Sequence, residues 1–181
     1  WSETDGEDIK KILERIYKLK LSKTSEELLF NVLFTNAYSP QKNLNTENFL
    51  NIKIDWLIKK KRIQDLETFL KKNPLAGQNS KAIRFLVDEY LSSADIKSAC
   101  DKIKFINREV QNNYLEKFTI YCLIHEDRKD EAQLIFDLIA ERGFKDKFFE
   151  DKINFLLGFK ESTNQKIIDD NLESQLPDAN K

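Results

Sequence analysis

The sequence predicts an all-α protein, a short right-handed α-solenoid of stacked helical hairpins that follows an N-terminal helical cap. Only 4 Gly and 3 Pro occur among 181 residues, too little turn-forming sequence for a many-stranded sheet. Apolar residues recur at the spacing of amphipathic helices. From about residue 45 this pattern also repeats every 33 residues, and helix pairs too small to bury their own apolar faces stack on their neighbours.

The repeat consists of six sets of apolar residues, which we call columns. Each column has one residue in each of three successive copies, at positions 33 residues apart. Any single pair at this spacing would mean little, but six columns in one register indicate a duplicated structural unit. A fourth, partial copy follows Gly143. The columns are Ile52/Phe85/Phe118, Ile54/Val87/Ile120, Leu57/Tyr90/Leu123, Ile58/Leu91/Ile124, Leu66/Ala99/Ala132 and Leu70/Ile103/Phe136.

The repeat divides the chain into three parts that we expect to form one structural domain. Residues 1–45 are the N-terminal helical cap, and residues 46–160 are the repeats. Residues 161–181 are a polar, acidic tail or a capping helix, with a weak apolar group at Ile167, Ile168 and Leu172.

Local signals place the helix ends. Thr24 and Glu27 have the spacing of a capping box, and Asp95 and Asp127 are suitable caps for two of the second helices. In the cap we expect helices over 8–19 and from Thr24 to before Pro40. The predicted first helices are 46–60, 79–92, 112–125 and 146–158, and the predicted second helices are 63–72, 95–106 and 128–142.

The third copy resembles a tetratricopeptide repeat. That family places a large residue in the first helix, a small residue nine positions later and an aromatic four further on, as Leu123, Ala132 and Phe136 do. Tyr90 and Ala99 match in the preceding copy. The sequence departs from the family in lacking its Trp-Leu-Gly signature, in having Leu66 for Ala, and in a spacing one residue short of 34. The resemblance covers about residues 46–158.

The order of elements also resembles an uncharacterised family of α-proteobacterial helical proteins, some of which carry an antifreeze-polyprotein label. This resemblance would make the protein bacterial, and it implies no activity.

The composition excludes several classes of protein. The formal net charge of −1 leaves no excess of base for a nucleic-acid or anionic-membrane binder. No apolar run is long enough to span a membrane. The chain begins at Trp1 and contains no Met, so we expect either a cleaved targeting segment or an excised piece of a longer protein.

Catalytic signatures are missing. His125 is the one histidine, at a predicted turn, and no phosphate loop, GxSxG or HExxH motif occurs. We therefore expect no enzyme, no metal and no cofactor. The densest basic run, Lys59 to Arg62, is expected to be a solvated turn, with a phosphate or acidic-partner contact as the alternative.

By analogy with the tetratricopeptide pattern, first-helix positions line a concave face that binds a protein or peptide. The alternative is that this face is solvated or covered by the chain's own tail. The residues carried over are Asn51, Asp55, Lys81, Arg84, Asp88, Tyr114, Lys117 and Tyr121, with Asn48 and Asn154 beside them.

The leading prediction for function is thus a non-enzymatic interaction or scaffold module that binds a peptide, helix or subunit. One alternative is a helical accessory domain of a larger enzyme, possibly of the cell envelope, and another is a weak nucleic-acid binder. The sequence leaves the oligomeric state open.

The two cysteines, Cys100 and Cys122, are candidates for a disulfide. They lie on consecutive predicted helices with an axial offset of roughly 6 Å, at the edge of what a bridge allows. Glu67 and Glu89 share their columns, which predicts that both cysteines are partly exposed. A bridge would imply a periplasmic or secreted location, and two free thiols would fit the cytoplasm.

Overall fold

The computed structural model describes residues 1–34, 38–74, 76, 79–105 and 112–159. Within these ranges the regular structure is helical, apart from one isolated bridge between Asp5 and Lys42. The all-α prediction is therefore confirmed. The helices are α1 (Gly6–Tyr17), α2 (Lys23–Phe34), α3 (Thr46–Lys59), α4 (Ile63–Lys72), α5 (Ser80–Ser92), α6 (Ile96–Ile103), α7 (Asn113–His125), α8 (Lys129–Glu141) and α9 (Lys147–Leu157).

The chain divides into two compact units, Trp1–Val110 and Gln111–Lys181. In the first unit, α3 packs against α4, α5 packs against α6, and the two first helices α3 and α5 also contact each other. In the second unit, α7 packs against both α8 and α9. The predicted tail, 161–181, lies outside the described residues.

Each predicted first helix begins at an Asn or Asp whose side chain caps it. The side-chain oxygen of the cap accepts a hydrogen bond from the backbone N–H three residues further on, at 2.7 to 3.2 Å. This bond satisfies one of the free N–H groups at the helix N-terminus. The caps are Asn45 for α3, Asn79 for α5, Asn112 for α7 and Asp146 for α9.

The three hairpin turns share one backbone conformation. Each turn has, two residues after the end of its first helix, a residue with a positive φ angle: Lys61 (51°), Ala94 (58°) and Asp127 (60°). The next residue in each turn donates its N–H to the carbonyl five positions back, which is the Schellman ending of a helix. These bonds are Arg62 to Leu57 (3.0 Å), Asp95 to Tyr90 (2.9 Å) and Arg128 to Leu123 (2.8 Å).

Some predicted helix ends are wrong. The capping box at Thr24 does not form, because α2 begins one residue earlier and the Ser22 hydroxyl accepts from the N–H of Ser25 at 3.2 Å. Asp127 does not cap α8, because it occupies the left-handed position of the turn. Asp95 does cap α6, as predicted, but that helix ends at Ile103.

The core is built from the inward faces of the hairpins. Two of the sequence columns are fully buried in all three copies, namely Ile54/Val87/Ile120 and Leu66/Ala99/Ala132. In the second unit, Ile120 and Ala132 join the buried residues Leu123, Ile139 and Ile153 in one cluster. Each buried Ile, Val or Leu side chain contributes about 1.5–3 kcal/mol by leaving water, and the two alanines contribute less, so these columns hold the helices in register.

The start of α1 is fixed by the loop before α3. The N–H of Gly6 donates to the carbonyl of Lys42 at 2.9 Å, and Asn43 Nδ2 donates to Asp5 Oδ2 at 2.8 Å. A Cβ at Gly6 would lie 2.2 Å from the Cβ of Leu44, so this contact admits no side chain.

We expect Ala94→Gly to raise the free energy of unfolding by about 0.5–1 kcal/mol, because glycine adopts a positive φ without the steric cost paid by alanine. Ala94 is exposed, so little packing is lost. Chemical denaturation measures the change. The matched control is Ala140→Gly at an exposed position inside α8, which should lower stability by about 1 kcal/mol. An equal loss in both variants would contradict the assigned turn.

Candidate functional site

The predicted binding residues of the first unit form a strip of exposed charges along α3 and α5. Lys81 Nζ lies 2.6 Å from Asp55 Oδ1, with side chains 65% and 52% exposed. Arg84 Nε lies 3.6 Å from Asp88 Oδ2, with side chains 58% and 48% exposed. Ion pairs this exposed contribute about 0–1 kcal/mol, so their members can change partners at small cost. We call these four residues the charged strip.

Asn51 differs from the charged strip because it has a structural partner. Its side-chain oxygen accepts a hydrogen bond at 2.8 Å from Asn79 Nδ2, and Asn79 is the cap of α5. The two amides thus connect α3 to the start of α5. Asn51 is less available to a partner than the residues of the charged strip.

In the second unit, the three predicted residues lie on α7 but do not behave alike. Lys117 pairs with Asp146 at 3.2 Å, and its Nζ lies 5.4 Å from the ring centres of both Phe144 and Phe149. A backbone hydrogen bond from Phe149, followed by that from Lys117, lowers the pKa of Asp146. Lys117 therefore ties α7 to the start of α9.

Tyr121 and Tyr114 lie on a row of aromatic side chains along α7. The ring of Tyr121 is 6.0 Å from that of Phe118 and 6.3 Å from that of His125. Tyr121 is 36% exposed, whereas Tyr114 is partly buried. The positions 114, 118, 121 and 125 fall on one side of the helix.

The basic run lies at a turn, as predicted, and Lys59 and Lys61 are exposed there, whereas Lys60 and Arg62 are partly buried. Lys59 Nζ lies 5.2 Å from the ring centre of Tyr17 on α1. Lys60 forms an ion pair with Glu26 on α2, and Lys61 lies 3.4 Å from Glu89 on α5. The lysines of this turn contact three neighbouring helices.

Arg62 has the most contacts in this run. Its guanidinium bonds to Glu27 of α2 at 2.9 Å and to Asp65 of α4 at 2.6 Å. The guanidinium carbon also lies 3.7 Å from the ring centre of Phe30 and 5.8 Å from that of Trp56. Burial lowers the pKa of Arg62, but the hydrogen bonds that its guanidinium donates to the two carboxylates outweigh burial and raise the pKa overall. Arg62 thus fastens α2 to the first hairpin.

Lys53 is a buried charge that was not predicted. It is 7% exposed, and its Nζ lies 4.5 Å from the ring centre of Phe49 and 5.8 Å from that of Phe34. Burial lowers the pKa of this lysine. The repeat could have indicated the burial of Lys53, because the residue 33 positions later is the fully buried Leu86.

A buried polar network joins α4, α5 and α6. Tyr90 Oη donates to Glu67 Oε1 at 2.5 Å, and Lys102 Nζ lies 3.1 Å from the same oxygen. The hydrogen bond to Glu67, with burial second, raises the pKa of Tyr90 to about 12. The network is closed on itself, which suits a structural role better than a binding role.

Cys100 and Cys122 are 7% and 5% exposed, so the prediction that they are partly exposed is wrong. The polar residues in their columns were misleading. Glu67, which shares the column of Cys100, is itself 14% exposed because Tyr90 and Lys102 satisfy its carboxylate. Neither cysteine is a free thiol.

Other places that could carry chemistry offer little. His125 is exposed at the end of α7. A cleft of about 320 Å³ lies between the start of α7 and the end of α8, but its Arg142 is already paired with Glu116 at 2.7 Å. Among the described residues, no group of three or more His, Cys, Asp or Glu is placed to hold a metal ion.

Among the described helices, none combines the length and the apolar character needed to cross a bilayer. Comparison with protein-family models, with curated proteins and with solved structures gave no match for the chain. The resemblances drawn from the sequence therefore stay predictions.

We expect Lys53→Met to be at least as stable as the wild type near pH 7, because methionine fills similar space without burying a charge. The pKa of Lys53 is lowered on folding, so above the folded-state pKa the unfolded chain binds more protons than the native chain. Wild-type stability should then rise with pH toward the ordinary lysine pKa, and the variant should lack this rise.

Urea denaturation of both proteins at about pH 7 and pH 9.5 measures the difference. All other titrating groups are common to the two proteins and cancel. The same pH dependence in both would contradict a depressed pKa at Lys53.

Proposed function

We propose that this chain is a non-enzymatic interaction module that binds a peptide, a helix or another subunit on the face made by α3 and α5. The observation that carries the proposal is the charged strip. Its four side chains are about half to two-thirds exposed and form ion pairs along the surface. A partner can replace these weak pairs with its own charges without disturbing the core.

A short solenoid of stacked hairpins is the architecture that we propose for this module. The recurring turn supports it, because Lys61, Ala94 and Asp127 are 33 residues apart in sequence and share one conformation. The packing of α3 beside α5, and of α7 beside α9, supports it too, since neighbouring first helices line one face in such stacks.

The chemistry of the charged strip favours a partner that carries both acidic and basic or amide groups. Arg84 offers a planar fork for a carboxylate, and Asp55 and Asp88 accept hydrogen bonds from amides or cations. Alternating charge selects the register of a partner more than it adds affinity, because each wrong alignment juxtaposes like charges. The partner proposed here is therefore a mixed-charge protein segment.

The basic run gives less support to nucleic-acid binding than its composition suggested. Lys59, Lys60 and Arg62 each contact a side chain of a neighbouring helix, and Lys61 lies near Glu89. A phosphate backbone would have to compete with these partners.

The charged strip should decide partner binding. We expect Lys81→Glu with Arg84→Glu to weaken the partner at least about tenfold, since two favourable contacts become repulsive. Lys117 is left intact because replacing it would disturb the packing of α9. Partners are found by affinity capture from the native organism and mass spectrometry, and each is then made recombinantly and titrated against the purified protein.

The matched control is Lys11→Glu with Lys97→Glu, which makes the same charge change at exposed positions of α1 and α6. Its affinity should stay within about twofold of the wild type. Equal affinity for all three proteins would rule out the charged strip as the binding face.

We further propose that Cys100 and Cys122 are joined by a disulfide. The proposal is supported by the count of 2 cysteines in the chain and by the finding that neither is a free thiol. Stable disulfides are typical of oxidising compartments, and the proposal therefore carries with it a periplasmic or secreted location.

Alkylation in denaturant tests the disulfide. Without reductant, the purified protein should gain no alkyl group, and after reduction it should gain two, as read by intact mass. Two alkylated cysteines without reductant would contradict the bond.

A further inference from the structure

We propose that this chain binds a second copy of itself, with helix α8 of one copy packed on helix α9 of the other. Both helices belong to the second unit, Gln111–Lys181. Each presents exposed apolar side chains between charged ones, and the charges on the two helices are mainly of opposite sign. The contact involves neither the charged strip on α3 and α5 nor a different protein.

The exposed side of α9 carries three phenylalanines. Phe148 is 67% exposed and Phe155 is 38% exposed, and their spacing of seven residues places them on the same side of the helix. Phe159 is 68% exposed, and its N–H donates to the carbonyl of Asn154 at 2.8 Å, which holds Phe159 beside the end of α9. On the opposite side of α9, Ile153 packs into the core of the second unit.

The charges beside these phenylalanines are mainly basic. Lys152 is exposed, and its Nζ lies 5.7 Å from the ring centre of Phe155. Lys145, three residues before Phe148, is exposed too, whereas Asp151 at the other edge is partly buried. An apolar surface with basic edges favours a partner surface that is apolar at its centre and acidic at its edges. We call the three phenylalanines, with Lys145 and Lys152, the basic stripe.

The exposed side of α8 has the same pattern with the opposite charge. Leu134 and Leu138 are about one turn apart and are 61% and 48% exposed. Asp130, Asp137 and Glu141 are exposed and lie on the same side of the helix as the two leucines. We call these five residues the acidic stripe.

The repeat does not account for the apolar character of the acidic stripe. The residues that correspond to Leu134 in the two preceding second helices are Asp101 and Thr68, 33 and 66 positions earlier. Both are polar and exposed. A hairpin of this kind therefore does not need an apolar residue at this outward position, and Leu134 is available for a contact with another molecule.

Phe148 departs from the repeat in the opposite sense. The corresponding residues of the three earlier first helices are Leu115, Ala82 and Phe49, which are 1%, 0% and 1% exposed. Those first helices each pack against a second helix, in the pairs α3 with α4, α5 with α6 and α7 with α8. Helix α8 of another copy is a second helix too, so it is the kind of helix that covers this position elsewhere in the chain.

A second copy fits both stripes at once. The acids of one copy would meet Lys145 and Lys152 of the other, while Leu134 and Leu138 would lie against the phenylalanines. The contact joins two different surfaces. Around a two-fold axis it would form twice and close as a dimer, and without such an axis it would extend into longer assemblies.

Sedimentation velocity of the purified full-length chain tests the association. We expect the sedimentation coefficient to rise with protein concentration, because the free monomer gives way to the assembly by mass action. Leu134→Lys should raise the dissociation constant at least about tenfold, since it places a cation in the centre of the contact, facing the basic stripe. The matched control is Leu28→Lys on α2, where Leu28 is 65% exposed, and its dissociation constant should stay within about twofold of the wild type.

Reversal of the charges identifies the two surfaces. Lys145→Glu with Lys152→Glu makes the basic stripe acidic, and Asp137→Lys with Glu141→Lys makes the acidic stripe mainly basic. Each double variant alone should associate at least about tenfold more weakly than the wild type, because its two stripes then carry the same charge. An equimolar mixture of the two variants should associate again, because each then meets a stripe of opposite charge.

The control for net charge is Lys11→Glu with Lys97→Glu, which changes the total charge as much as the reversal of the basic stripe does, at exposed positions of α1 and α6. It should associate like the wild type. The helical signal in circular dichroism should be the same for all variants. A monomer at every concentration would overturn the proposal, and the two stripes would then be left to another occupant. So would equal weakening by Leu28→Lys and Leu134→Lys, or a mixture of the charge-reversed variants that stays monomeric.

Discussion

The position of Arg62 is the constraint on which the N-terminal unit depends. Its backbone is fixed first, because Lys61 takes a left-handed conformation and the N–H of Arg62 bonds to the carbonyl of Leu57. The guanidinium is thereby placed between Glu27 and Asp65 and against the ring of Phe30. Cation–π contacts of this kind contribute about 0.5–2 kcal/mol. Removing the guanidinium would also remove the hydrogen bonds that it donates to the two carboxylates. The conformation of a local turn therefore positions the side chain that connects α2 to the first hairpin.

The same turn is completed differently in each hairpin, which shows that the backbone bonds and the side chains have separate roles. After the left-handed residue come Arg62, Asp95 and Arg128. Asp95 caps its own helix by accepting from the N–H of Ser98 at 3.0 Å. Arg62 and Arg128 instead bond to an acid three residues later, Asp65 and Glu131. In all three hairpins a carboxylate therefore lies at the N-terminal end of the second helix, where the helix dipole favours negative charge.

Features that depend on the burial of apolar residues can be predicted from the sequence. The conformation or contacts of a residue cannot be predicted where they depend on a partner from a distant helix. Helix α3 was expected at 46–60 and runs from Thr46 to Lys59, because its column residues Ile54 and Leu57 are fully buried. The left-handed conformation of Ala94 could not be predicted, because the residue is not a glycine. The hydrogen bonds of the turn override the preference of alanine for a negative φ. Lys53 is a charged residue type in a buried column, and its contact with Phe34 of α2 could not be predicted from the sequence of α3. In the candidate site, exposure of Lys81 and Arg84 was predictable from helical spacing, but the packing of Lys117 against Phe144 was not.

Basic side chains in this chain differ in what a partner must displace to reach them. Binding to Arg62 would break two charge-assisted hydrogen bonds and expose the aromatic cluster behind them, at a cost of several kcal/mol. The pair of Arg84 with Asp88, at 3.6 Å, is exposed, and a pair of this kind contributes about 0–1 kcal/mol. The basic run is the more conspicuous feature of the sequence, yet each of its four side chains already contacts a neighbouring helix. The charged strip on α3 and α5 keeps its contact with water, and this difference is the reason for proposing it, and not the basic run, as the surface that meets a charged partner.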